Sequence, residues 1–187
     1  MSWRIEDLSA GRLADYLAFF DERAFADNPD WADCFCMAYL LAGGEWAERG
    51  GAQNRADVIT SIESGESMGL LAYDGDRVFG WCRYGPRAGF PPLGPWNAVD
   101  GTDGVGSIVC FVVDAAYRRQ GAATALLEAG CRSLARAGFR VAEGYPRRLQ
   151  DSDAERYEGP LAMFMAAGFE VVDERERGYV VRRPLSS

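Results

Sequence analysis

Histidine is absent from the 187 residues, and that absence excludes much. Ser-His and Cys-His nucleophilic catalysis cannot occur, and neither can a histidine general base. Cysteine is scarce, five residues and an odd number. Cys34 and Cys36 form the one C-x-C spacing, while Cys82, Cys110 and Cys131 stand in separate segments. No zinc site is expected from such a set. Reduced thiols and a cytoplasmic location are the natural reading. No apolar run approaches a membrane span, and Met1-Ser2-Trp3-Arg4 does not open a signal peptide, so no membrane association is expected. Neither G-K-[ST] nor G-x-G-x-x-G occurs, which removes the common triphosphate and dinucleotide cradles. Positive charge is in deficit at −8, so nucleic acid is not an expected partner.

What is present suits one globular domain spanning residues 1–187, with 48% hydrophobic and 26% charged residues. Residues 3–8 alternate as an edge strand does, and Ser9 is placed to cap a helix over Leu13, Tyr16, Leu17 and Phe20. Asp30 would cap a second helix over 31–41, and Asn54 a third, with Asp57 completing a capping box. Residues 68–73 and 78–84 read as a hairpin around Asp74-Gly75-Asp76. A Pro- and Gly-rich loop follows over 85–104, of a length that is usually functional or disordered. Later come a strand at 140–145, a short helix at 160–167 and a closing hairpin from 171–173 and 179–183. The order predicts a mixed α/β (α+β) domain with helices on both faces of the sheet.

Residues 107–137 carry the chemistry. Residues 108–113 (I-V-C-F-V-V) form a short, β-branched apolar run, read as a strand buried on both faces. Gly121 opens a helix with apolar residues at Ala123, Leu126, Leu127, Gly130, Cys131 and Leu134. Between them lies a polar connection with Arg118, Arg119 and Gln120. The first N–H groups of a helix lack partners within it, and the macrodipole adds positive potential. Small residues Gly121, Ala122, Ala123 and Thr124 let an anion approach that backbone, and two arginines stand beside it. This is a phosphate cradle.

Arg118-x-x-Gly121-x-Ala123 after a buried strand resembles the R/Q-x-x-G-x-G/A signature of the GNAT superfamily of acyl-CoA-dependent N-acetyltransferases, with Ala123 where glycine is usual. The element order is similar to that family over nearly the whole chain. Asn28-Pro29, Trp31, Cys34, Cys36, Asn54-Arg55, G-W-C, V-C-F-V-V and E-G-Y-P together look like a bacterial subgroup with no assigned substrate. The resemblance implies the GNAT fold, acetyl-CoA as cofactor, and acetyl transfer by direct amine attack on the thioester. It implies a small-molecule or peptide amine as partner, and a monomer or homodimer.

The resemblance also places the pantetheine arm between splayed strands, here 108–113 and 140–145, with backbone groups of Phe111, Val112 and Val113 along it. The usual general acid is a tyrosine four residues before the glycine of the last helix, but Phe164 stands there ahead of Gly168. Tyr157 and Tyr145 are the nearby candidates, and each also reads as a packed aromatic with a local partner. Glu143 interrupts an apolar strand near the splay and is the candidate base, or else a glutamate paired with an arginine. Cys110 reads as a buried structural thiol. Trp31, Cys34, Phe35, Trp81, Phe90 and Trp96 are candidates to line the acceptor pocket. Phe164 also leaves room for a non-catalytic acyl-CoA-binding or sensor module on the same fold.

Overall fold

Seven strands settle into one sheet: β1 (Arg4–Asp7), β2 (Gly69–Asp74), β3 (Arg77–Pro86), β4 (Val105–Val113), β5 (Val141–Gly144), β6 (Glu170–Arg175) and β7 (Gly178–Pro184). Their spatial order is β1-β2-β3-β4-β5-β7-β6 in a computed structural model that describes residues 3–42, 45–96, 102–148 and 157–186. Every neighbouring pair is antiparallel except β4 with β5. All nine residues of β4 are buried, as an apolar run covered on both faces requires.

Helices α1 (Leu13–Glu22) and α3 (Gly51–Glu63) supply one side of the core, where Tyr16, Phe19, Val58 and Ile62 meet Trp81 and Val109. Helices α4 (Ala122–Arg136) and α5 (Leu161–Ala166) supply the other, where Leu126, Leu127, Leu134 and Phe164 meet Phe79 and Ile108. The alternation of Ile108 and Val109 to opposite faces is the period-two rule at work. Helix α2 (Glu45–Glu48) is a single turn.

Four local expectations change. The second helix is a 3-10 segment, Pro29–Cys34, and not a helix to residue 41. Phe35 and Cys36 follow with φ of 44° and 53°, and two left-handed residues in succession cannot continue a helix. The Tyr16 hydroxyl donates to the Phe35 carbonyl at 2.7 Å and holds that bend. Asn54 does not cap α3 but lies buried in its first turns, donating to the Asp33 carbonyl and accepting from Arg49 Nε. Strand β4 begins at Val105, earlier than its apolar run, because Gly106 is a packing residue. A Cβ there would lie 2.3 Å from Leu134 Cδ2. The 85–104 stretch is partly 3-10 helix, at Arg87–Gly89 and Pro91–Trp96.

The chain contains no lysine, so its ion pairs are built on arginine throughout. Leu126 is fully buried, and its Cδ1 lies 3.4 Å from where a Cβ on Gly80 of β3 would stand, which seats the first turns of α4 on the sheet. Leu126→Ala is expected to cost about 2–5 kcal/mol of stability, read as a lower urea midpoint with little change in slope.

Candidate active site

Strand β4 pairs with β5 only at Val105↔Val141, Gly106↔Ala142 and Ser107↔Glu143. The strands then part, and β4 runs on to Val113. Within β4, Cys110 is a bulge: Cys82 pairs with Phe111 and Arg83 with Val109, leaving Cys110 extra with φ 50°. Two cavities open along this fork.

The first, about 250 Å³, lies between the end of β4 and the start of α4. Gly121 caps α4 with φ 89°, and nothing lies within 4 Å of where its Cβ would stand. Ala125 N–H is bonded to Gly121 O at 2.9 Å, so the N–H groups before it are the free donors of the helix start. Arg118 is pinned rather than mobile. Its Nε donates to the Val113 carbonyl at 2.9 Å and its Nη2 to Asp27 at 2.9 Å. That guanidinium holds the Asp27 carboxyl below its usual range. Arg119 also lines the cleft, with φ 58°. Open space over Gly121, exposed N–H donors and two arginines fit a pyrophosphate, the anionic part of coenzyme A.

The second cavity, about 570 Å³, is lined by Trp31, Cys34, Tyr39, Leu93, Cys110 and Tyr145 among others. Asp30, Arg147 and Glu158 are its charged groups. Phe25, Val112 and Tyr157 line both cavities, so the two meet there. Burial pushes the Glu158 carboxyl up to about 7, against the opposing pull of Arg147 and of a hydrogen bond from Tyr39. Arg147 Nε stands 2.6 Å from Glu158 Oε2. Burial, and then the Glu158 charge, push Tyr157 up to about 12, so its hydroxyl is protonated at neutral pH.

A family model described as the acetyltransferase (GNAT) family matches residues 28–145, well over half of the chain. The chain belongs to that family. Acetyl transfer from acetyl-CoA is therefore its activity, with the acceptor unspecified. Solved structures agree on the fold. PaiA N-acetyltransferase from Thermoplasma acidophilum, in complex with coenzyme A, is 14% identical, with 98% of this chain and 99% of that one covered and a TM-score of 0.59. A GCN5-related N-acetyltransferase from Kribbella flavida is 20% identical, with 98% of each chain covered and a TM-score of 0.58. Ard1 from Thermoplasma volcanium is 15% identical over the whole of both chains, at 0.57. No curated protein matches the chain.

The GNAT reading of the sequence places Phe111, Val112, Val113, Arg118, Arg119, Gly121, Ala122, Ala123 and Thr124 beside coenzyme A, and all of them line the first cavity. Gln120 does not. Its side chain turns back to the Ala116 carbonyl at 2.7 Å. Phe111 N–H is also not open to a ligand, because it donates to the Tyr157 carbonyl at 2.5 Å. Trp31, Cys34, Tyr145 and Tyr157 line the second cavity. Phe35, Trp81 and Phe90 line neither and pack in the core, and the Trp96 side chain lies outside the described residues.

Glu143 lines neither cavity. It is fully buried, with Arg87 Nε 2.9 Å from Oε1 and Arg182 Nε 2.5 Å from Oε2. Tyr145 donates to Oε1 at 2.5 Å, and Ser107 lies 2.6 Å from the Tyr145 hydroxyl. Burial and the Glu143 charge then raise Tyr145 far above the ordinary phenol value. Glu158, not among the candidates drawn from the sequence, is the buried acid at the second cavity. Its signal was a carboxylate directly beside Tyr157, just ahead of α5.

Phe164, in the place of the usual GNAT tyrosine, is fully buried against Phe111 and Phe169, at ring distances of 6.3 and 5.2 Å. Phe164→Tyr is expected to cost about 1–3 kcal/mol through an unpaired hydroxyl, with no gain in turnover. Chemical denaturation and a free-thiol assay check both. Arg118→Ala and Gly121→Val are expected to weaken coenzyme A binding about tenfold each in calorimetric titration, with the fold retained. Unchanged affinity would remove the phosphate-cradle assignment.

Proposed function

We propose that this acetyltransferase acts on a cationic primary amine, of a small molecule or a peptide, that enters the 570 Å³ cavity and loses its proton to Glu158. The observation carrying this reading is the adjacency of Glu158 and Tyr157 where the two cavities meet. Asp30 and Glu158 outnumber Arg147 among the charged groups of the wall, which favours a positively charged guest. Trp31, Tyr39 and Tyr157 offer aromatic faces to the same charge.

Acetyl-CoA supplies the acetyl group already activated as a thioester. The α4 N-terminus with Arg118 and Arg119 would hold its phosphates, and Val112 with Phe25 would flank the arm leading to the junction. An attacking amine must be neutral, and a carboxyl poised near 7 is matched to take its proton at neutral pH. Tyr157 stays protonated to about 12 and borders both cavities, from where it would give its proton to the leaving sulfur. Tyr157 therefore takes the role that Phe164 cannot, and the non-catalytic alternative loses its support. Glu143 is assigned the job of fixing the fork, and Tyr145 that of holding Glu143. The five cysteines are free, in keeping with a reducing compartment and the cytoplasm.

Activity should rise with pH through about 7 as Glu158 loses its proton. Glu158→Gln is expected to lower kcat/KM by about 10²–10⁴ and to abolish that rise, read as thiol release from acetyl-CoA across pH. A variant that keeps the limb would clear Glu158 of the base role. Glu143→Gln should instead lower stability and leave the limb in place.

A further inference from the structure

Arg83 poses a charge-balance problem. It is 2% exposed, it stands in the middle of the sheet, and among the described residues it makes no ion pair with a carboxylate. An uncompensated buried guanidinium is costly, and it cannot shed its proton as a lysine would. Its partners are the Cys36 sulfur at 3.3 Å from Nε, the Ser67 hydroxyl at 3.3 Å from Nη1, and the Trp81 ring. Its Nη2 has no hydrogen-bond partner among the described residues. Of these groups only the Cys36 sulfur can carry a negative charge.

The backbone converges on the same point. Cys36 follows left-handed Phe35 and is left-handed itself, and Cys110 is the bulge of β4. These are costly conformations for residues with side chains, and such outliers concentrate at functional positions. Together they set the Cys36 and Cys110 side chains close enough that each shifts the titration of the other. Cys34, Cys36 and Cys110 all line the acceptor cavity.

We infer that Cys36 is a thiolate, ion-paired to Arg83, and that it is a covalent modification site for small uncharged carbon electrophiles that enter the acceptor cavity. In the modification the sulfur lone pair forms a C–S bond as the carbon–halide bond breaks. Halide leaves with its electron pair, and no redox partner or proton is needed. Burial alone would oppose the charged sulfur, but the neighbouring Cys110 thiol and the Arg83 guanidinium beside it outweigh that cost. The titratable groups facing Cys36 are Arg83 and Cys82 from β3, Cys110 from β4, Tyr16 from α1 and Cys34 beside it. Asp30, Arg147 and Glu158 line the same cavity. Cys34 is the internal control. It lines the same cavity two residues away, but burial and the Cys36 charge push its thiol up to about 11. The inference does not depend on which amine is acetylated.

The test is alkylation of the wild-type protein with iodoacetamide at pH 6.5, 7.5 and 8.5, with mass-spectrometric mapping of each cysteine. Cys36 should label at least tenfold faster than Cys34 at pH 6.5. Its rate should stay nearly flat to pH 8.5, where an ordinary thiol rises toward a hundredfold over two pH units. Absorbance near 240 nm should fall at pH 7 in Cys36→Ser. Arg83→Lys should keep early labelling of Cys36, and Arg83→Met should move it to higher pH. If the Arg83 variants fail to fold, the wild-type profile decides. Cys36 unlabelled at every pH, or labelling that climbs with pH alongside Cys34, would overturn the inference.

Discussion

The parting of β4 from β5 after Ser107 is the constraint on which the site depends. Parallel pairing stops at Ser107↔Glu143, and a buried polar cluster sits on that last pair. Ser107 bonds to Tyr145, Tyr145 donates to Glu143, and Glu143 is held between Arg87 and Arg182. Each of these groups is paired, so the low dielectric that makes a lone charge costly here tightens the network instead. Beyond the cluster, Phe164 fills the space over Gly144, where a Cβ would lie 2.3 Å from its ring. The fork is thus pinned at its base by charge and wedged by an aromatic ring. The released length of β4 faces two cavities instead of a neighbouring strand.

The segment bearing Tyr157 and Glu158 exploits that opening. It crosses the released strand, gives its carbonyl to Phe111 N–H, and lays one side chain along each kind of chemistry. Tyr157 borders both cavities and Glu158 only the second. The same burial that keeps the tyrosine protonated brings the glutamate near neutrality. A phenol held protonated and a carboxyl displaced toward neutrality share one buried corner.

Local pattern made the cofactor half of the site legible. An apolar strand, two arginines and a run of small residues occur in one short window, and their chemistry follows from helix-end electrostatics alone. The order of elements along the chain and the helices on both faces were legible from the same kind of local patterning. The catalytic half depended on burial, which the sequence does not print. Glu143 and Glu158 are both acids beside a tyrosine in a Gly- and Pro-flanked stretch. Only the fold turns one into an ion-pair anchor and the other into a carboxyl with a displaced titration. Phe35, Trp81 and Phe90 misled for a related reason, since large aromatics fill cores as readily as pockets. The bend at Phe35 and Cys36 carries no glycine or asparagine to announce its positive φ. The early start of β4 was hidden because Gly106 imitates a loop residue while making room for Leu134.

The all-arginine set of cations has a consequence for an enzyme that acylates amines. A guanidinium stays protonated across the physiological range and is no nucleophile toward a thioester. Lysine would add its ammonium to the surface and, whenever it lost a proton, a competitor for the acetyl group. With no lysine anywhere, the chain has no side chain on which amide-forming self-acetylation can occur. Its surface can be salted with positive charge, up to the rim of the cofactor cleft at Arg118 and Arg119, without offering a target to its own reagent.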